Sequence, residues 1–340
     1  MTYDGNSFHI YRWPVRLLKL LDRWIKNFVW SGDIDTRKIC TVSWSQVCRP
    51  WDAGGLDLKP TRAINEALLL HLSWKLFTQN SDCSKLIQTR FLSSGVPRSR
   101  YFKSSIWLGV KDNFPTITAN TRWIVGNGEN IRLWFDNWLG SSLVTMLGLP
   151  THLFPRLKAT LAFVITDGKC NIPPIILEYP LVAAQIMQVT LPVSPLPDKC
   201  AWIHATDGEL SSKLAFQFLN PAPPNLDWAT DIWRPCIPPS HSFIFWRFML
   251  SKLPTDENLQ ARGCTLVSMC PLCYNQAESS RHLFLDCDFS QTIWLLLGTK
   301  LQRTIPLAAP SSLLSCIPQR CSSQLRDVLV AAIVHTVHAI

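Results

Sequence analysis

The stretch CPLCYNQAESSRHLFLDC, residues 270–287, has the spacing Cys-x2-Cys-x8-His-x4-Cys, with Cys270, Cys273, His282 and Cys287 as donors. Two cysteines separated by two residues can turn both sulfurs toward one ion, and zinc accepts sulfur and imidazole nitrogen in a tetrahedral shell. The polar run from Asn275 to Ser280 lets the chain return, so that His282 and Cys287 close the shell. Cys264 is a competing donor, but it stands apart from Cys270 and has no close partner in the sequence. Three thiolates and a neutral imidazole leave no position for a reactive water. The expected Zn2+ is therefore structural and not catalytic, and it supplies folding energy to a loop-rich segment.

Outward from this stretch the pattern is helical. Phe245, Trp246, Met249, Leu250 and Leu253 recur at helical spacing over 243–253, and Pro254 ends that run. Thr255 or Asp256 can cap a further short helix that Gly263 terminates, and residues 289–297 form an apolar helix on the other side of the zinc segment. Nearer the N-terminus, Leu17, Leu18, Leu21, Trp24, Ile25, Phe28 and Val29 predict an amphipathic helix over 13–30 that Gly32 stops. Residues 64–78 predict a second one, and Asp52-Ala53-Gly54-Gly55 is a turn signal between the two.

Residues 122–138 read differently. Trp123, Val125, Ile131, Leu133 and Phe135 alternate around Gly126-Asn127-Gly128, and Asn-Gly suits a tight hairpin turn, so a β-hairpin is expected here. Residues 170–240 are proline-rich and read as loop or linker, with one short helix near 211–219. The expected fold class is α+β, mainly helical, with a small β region near 105–165 and a zinc-stabilised helical C-terminal domain. The expected domains are a basic helical region (1–100), an aromatic-rich β-containing connector (101–220), the zinc-binding domain (221–300) and a C-terminal linker or helix (301–340).

Charge is uneven along the chain. The whole carries +9, and residues 1–110 hold 16 Lys/Arg against 8 Asp/Glu, so nearly all of the excess is N-terminal. Arg16, Lys19, Arg23, Lys26, Arg37 and Lys38 are the candidate contacts to a polyanion, either RNA or DNA; a merely solvated basic surface is the alternative. The zinc segment itself is acidic: over 264–294, Arg281 faces Glu278, Asp286 and Asp288. Phosphate binding therefore belongs to the N-terminal third, and the zinc segment reads as a brace or a protein contact. Only 17% of residues are charged while 15 are Trp, which implies apolar surface that faces a protein partner or an absent domain.

The cysteines lack a disulfide framework's spacing, and neither a signal peptide nor an apolar run of transmembrane length is evident. An intracellular protein, nuclear or cytoplasmic, is expected, with no membrane partner and no small-molecule substrate. No metalloprotease, nucleophile-elbow or phosphate-loop motif occurs. Asp33-x-Asp35 reads as a loop cap, and His71 and His241 as structural histidines.

FIFWRFMLSKLPT, CPLC, HLFLDC and FSQTIW, spanning 243–294, together resemble the zinc-binding domain of plant non-LTR retrotransposon reverse transcriptases. WPVRLLKLLDRWIKNFVWSGD, WSQVCRPWDAGGLDL, INEALLLHLSWKL and RWIVGNGENIRLWFDNWL extend the resemblance over most of 10–300. It implies that residues 10–80 correspond to the thumb-like end of a polymerase and that the family's zinc ligands fall on Cys270, Cys273, His282 and Cys287. The family's polymerase carries an aromatic-x-Asp-Asp motif, whereas this chain contains no Asp-Asp pair. Polymerase and ribonuclease H catalytic domains are therefore expected to be missing. The reading is a non-catalytic zinc-binding fragment associated with nucleic acid, or alternatively a scaffold module with no nucleic-acid role.

Overall fold

The computed structural model describes residues 7–79, 81–93, 96–98, 100, 102–166, 169–194 and 196–340. Its main elements are α1 (Val15–Ser31), α2 (Thr61–Thr78), α3 (Trp107–Ala119), β1 (Thr121–Ile124), β2 (Lys199–Trp202), α4 (Ser212–Leu219), α5 (Pro239–Met249), α6 (Asp256–Gln260), α7 (Asp288–Leu301) and α8 (Ser323–Ala339). The architecture is mainly helical α+β with short strands. Among the described residues, no helix is long and apolar enough to cross a membrane.

The chain divides into two compact units, Met1–Leu18 with Thr61–Pro221, and Lys19–Pro60 with Ala222–Ile340. Each unit gathers residues that share a core, whatever their distance in sequence. Val42 and Val47 are buried in the same core as Phe245, Trp246 and Phe248, which draws residues 19–60 into the C-terminal unit. Residues 323–339 form a helix that supplies Leu329, Val330, Ile333, Val334 and Val337 to that core.

In the first unit, α2 is the central element. Its buried Asn65 accepts the Trp13 N–H and donates to the carbonyls of Phe8 and Tyr11, fixing the segment that leads into α1. Leu70 and Trp74 of α2 pack with Ile117 of α3, Trp202 of β2 and Ala215 of α4. The Trp74 and Trp202 rings meet edge to face at 5.8 Å, a preferred aromatic geometry. A second cluster gathers Ile131, Leu133, Trp138, Leu143 and Leu161 with Val182 and Ile186 of the helix Pro180–Met187.

The hairpin expected over 122–138 does not form. β1 pairs antiparallel with β2, in the register Thr121↔Trp202 to Ile124↔Lys199. The reason is the carboxylate of Asp198. One oxygen accepts the N–H groups of Gly126 and Gly128, both at 2.8 Å, and the other accepts that of Asn130 at 2.9 Å. The Gly126–Asn130 turn thus finds its acceptors about 70 residues away, and β2 follows directly from Asp198. Gly128 keeps the positive φ, +75°, that Asn-Gly promised, and an added Cβ would lie 2.6 Å from the Ala162 backbone nitrogen. Residues 131–138 turn inward instead, with Trp138 donating to the Leu133 carbonyl at 2.9 Å. Removing the acceptor, as in Asp198→Ala, is expected to destabilise the first unit by about 2 kcal/mol, and Asp198→Asn by less, because one carbonyl acceptor remains. Urea unfolding of both variants checks the order.

In the second unit, Pro50 and Gly54 shape the turn that enters the core. Gly54 sits at φ +75°, where a Cβ would lie 2.8 Å from a Leu226 methyl. Its carbonyl accepts the Trp246 indole N–H at 2.9 Å. The N-terminal stretch 19–60 is therefore hydrogen-bonded as well as packed to α5.

Candidate metal centre

Cys270, Cys273, His282 and Cys287 converge, their ligand atoms all within 4.8 Å of one another. The Cys273 sulfur lies 3.3 Å from His282 Nε2. A tetrahedral zinc with ordinary Zn–S and Zn–N bond lengths puts such donors about 3.5 Å apart, so this pair stands near its tetrahedral spacing and the donor set fits structural zinc. Cys270 and Cys287 are fully buried, His282 nearly so, and Cys273 is partly open.

Each ligand is placed by a local device. The Cys270 N–H donates to the Gln276 carbonyl at 2.7 Å and the Tyr274 N–H to the Cys270 carbonyl at 3.0 Å, closing a knuckle in which Tyr274 takes the left-handed φ of +56°. This presents backbone N–H groups to sulfur. The Asn275 N–H, with help from His282, holds the Cys273 thiol down at about 6. Burial pushes the Cys270 thiol up, against the N–H groups of Cys273 and Leu272. His282 opens a π-turn, His282–Asp286, and its own N–H is held by the Ser279 hydroxyl. Cys287 is the N-cap of α7.

The site is tied into its unit. Glu278 accepts the Asp256 N–H through its carboxylate at 3.2 Å, and Ser268 bonds its N–H at 2.8 Å, joining α6 to the loop between the two ligand pairs. The π-turn buries Phe284 and Leu285, and Trp294 of α7 donates its indole N–H to the Phe284 carbonyl at 2.8 Å. Cys264 stays outside the cluster and lines a surface cleft instead. Among the described residues, no second group of three or more His, Cys, Asp or Glu side chains comes this close together.

A family profile described as zinc-binding in reverse transcriptase matches residues 210–294, a range that contains all four donors. The chain carries a reverse-transcriptase zinc-binding domain. It is similar to an Arabidopsis thaliana protein named "Putative ribonuclease H protein", 24% identical over 303 residues, covering 83% of this chain and 48% of the relative. It is also similar to an "Uncharacterized mitochondrial protein" of the same plant, 25% identical over 148 residues, covering 41% of this chain and 94% of the relative. This chain thus spans about half the length of the first relative, and the family profile covers the zinc region rather than a catalytic domain.

The basic residues are placed as follows. Lys19, Arg23, Lys26, Arg37 and Lys38 line one cleft of about 1060 Å³ in the second unit, joined there by Arg262. Arg16 is exposed in the first turn of α1 and is not part of that lining. The spacing of 19, 23 and 26 puts the first three on one helical face, but Arg262 had no local signal, since its partner Cys40 lies 222 residues away. Asp33 caps the loop after α1, accepting from the Thr36 hydroxyl at 2.6 Å and from the Asp35 N–H at 3.2 Å. His71 is half-buried, and burial lowers its pKa. His241 meets the His335 ring nitrogen at 2.7 Å and stacks on His338.

Proposed function

We propose that this chain is a non-catalytic module of a retrotransposon reverse-transcriptase-like protein, in which structural zinc held by Cys270, Cys273, His282 and Cys287 braces a surface that binds RNA or DNA. The observation that carries the nucleic-acid part is the gathering of Lys19, Arg23, Lys26, Arg37 and Lys38 at one cleft, where scattered basic side chains would have supported the merely solvated surface. Asp22 and Asp35 also line it, but with Arg262 included six cations stand against these two carboxylates, so its net charge remains positive. Neutralising phosphates releases counterions, and affinity then falls with salt independently of base sequence. The closed donor set supports the non-catalytic reading, since it leaves zinc no open position.

Five phosphate contacts give a slope of log affinity against log salt of about −3 to −5. Binding of labelled RNA and DNA to the zinc-loaded protein across 50–200 mM salt checks this. Arg23→Ala is expected to reduce the slope by about one unit. Absence of binding at low salt, with one zinc per chain present, sinks the nucleic-acid reading.

A second reading has its own observation. Val267, Met269 and Tyr274 beside the zinc knuckle are exposed, as are Phe289, Leu295 and Leu296 on α7. Apolar side chains of this kind suit a protein partner, and this scaffold role stands in front if the salt series finds no nucleic acid bound.

A further inference from the structure

We propose that the cleft takes a single strand of RNA or DNA, not a duplex, and that Arg262 both completes it and positions its basic loop. This rests on the nucleic-acid reading above and goes beyond it in naming the form of the ligand and a residue from the far end of the chain.

The loop that carries Arg37 and Lys38 has no regular secondary structure and is tied at both ends. At its start, the Asn27 side chain of α1 donates to the Ile34 carbonyl at 2.8 Å, and the Ser31 hydroxyl donates to the Asp33 carbonyl at 2.7 Å. At its end, the Arg262 guanidinium donates to the carbonyl of Cys40 and, at 2.6 Å, to that of Thr41. Arg247 of α5 adds a bond to the Thr41 hydroxyl at 2.9 Å. Two of the five guanidinium N–H donors of Arg262 are spent on these carbonyls, which leaves donors for a phosphate in the cleft that Arg262 also lines. Its charge and its hold on the loop therefore act at one place.

The lining decides between strand and duplex. Trp24, Ile34, Ile39 and Trp44 stand among the cations, and Ile39 is 64% exposed. A duplex presents a stiff convex surface of phosphates with its bases hidden, and an apolar ring in a concave cleft has nothing to meet there. A single strand offers both phosphates and base faces. A charged groove lined with aromatic side chains is the arrangement that binds it without sequence preference. A cleft of about 1060 Å³ is at the upper end of what holds one drug-sized ligand, so it takes a few nucleotides of one strand.

The test is fluorescence anisotropy at 50 mM salt with the full zinc-loaded chain and a labelled mixed-sequence 12-mer, offered as single-stranded RNA, as single-stranded DNA and as the DNA duplex. The expected result is at least tenfold tighter binding of a single strand, with the tighter of RNA and DNA naming the source. Trp24→Ala is expected to weaken the strand about tenfold and leave the duplex unchanged. Arg262→Ala is expected to cost more than Lys38→Ala, which removes a charge without releasing the loop, and Arg262→Lys to recover less than half of the loss. Zinc content and melting temperature of each variant separate a binding defect from misfolding, and the strand-against-duplex comparison needs no variant at all. Duplex binding as tight as the single strand overturns the strand assignment while the nucleic-acid reading survives. Wild-type affinity in Arg262→Ala overturns the role of Arg262. No binding of any of the three removes the underlying reading and this proposal with it.

Discussion

Removing zinc, by chelation or by Cys287→Ala, is expected to lower the melting temperature of the C-terminal unit by more than about 15 °C, or to abolish its cooperative unfolding. Structural zinc sites contribute apparent binding energies of about 10–16 kcal/mol, and little of that is recovered by packing when the ion goes. The effect should spread beyond the knuckle. Cys287 caps α7 and His282 opens the turn that buries Phe284 and Leu285, so the elements that hold the ligands also fill the core. Cys273→Ser should be milder than Cys287→Ala, because Cys273 is the partly open ligand. The pH dependence has a definite sign. The Cys273 thiol is held down at about 6, chiefly by the Asn275 N–H and then by His282, against 9.0 for a free thiol. A depressed pKa stabilises the fold fully above the free-thiol value and ceases to do so as pH falls through about 6, and bound metal displaces the window further toward acid. Metal content by atomic emission, read beside thermal unfolding with and without EDTA, checks all of this. Unchanged melting and metal content after EDTA would remove the zinc site.

The zinc ligands were legible because their geometry is local: all four lie within 18 residues, and a Cys-x2-Cys turn defines its own sulfur positions. The same holds for α1, α2, α4 and α6, whose apolar periods, caps and stop signals are written into adjacent residues. What was misread depended on distant partners. The Asn-Gly turn was recognised at Gly128, but its acceptor is Asp198, and no periodicity in 122–138 can reveal that the strand pairs with 199–202. Likewise, no local pattern in residues 19–60 announces that Val42 and Val47 share a core with Phe245, Trp246 and Phe248.

Arg262 shows the same limit at the candidate cleft. The helix-borne cations share a face that sequence spacing implies, whereas the guanidinium that ties down their neighbouring loop comes from beyond α6, in a segment of no net basic character. Its separation from Cys40 is a property of the fold alone. A charge count therefore located most of the cations that line this cleft but not Arg262, which joins them from far along the chain.

The second large effect is expected at Asp231, which is only 4% exposed yet carries a carboxylate. Arg326 reaches it through Nε at 2.8 Å and Nη2 at 2.6 Å, and Arg234 through Nη2 at 2.9 Å, while Arg234 also meets Asp327 at 2.5 Å. The network joins the short turn Asp231–Trp233 to the first turns of α8, whose later residues fill the core. Burial by itself would raise the Asp231 carboxyl, but the hydrogen bonds from Arg326 and Arg234 outweigh it and hold it below the ordinary 3.8. The stabilisation is thus complete above that ordinary value and is lost as pH falls below it. Asp231→Asn keeps the volume but strips the charge that two partly buried guanidinium groups face. Breaking a buried pair from one side costs about 3–5 kcal/mol, and the partial exposure of both arginines reduces that here to about 2–3 kcal/mol. The expected drop in melting temperature is about 10 °C at pH 7. Replacing all four charged groups, Asp231, Arg234, Arg326 and Asp327, by apolar residues of similar size is expected to cost less than Asp231→Asn alone, since desolvation is then relieved along with the attraction. Thermal unfolding of Asp231→Asn and wild type at pH 7 and pH 3 separates the cases: the gap between them should narrow at the lower pH, and a gap that persists unchanged would mean that Asp231 acts through shape and not through charge.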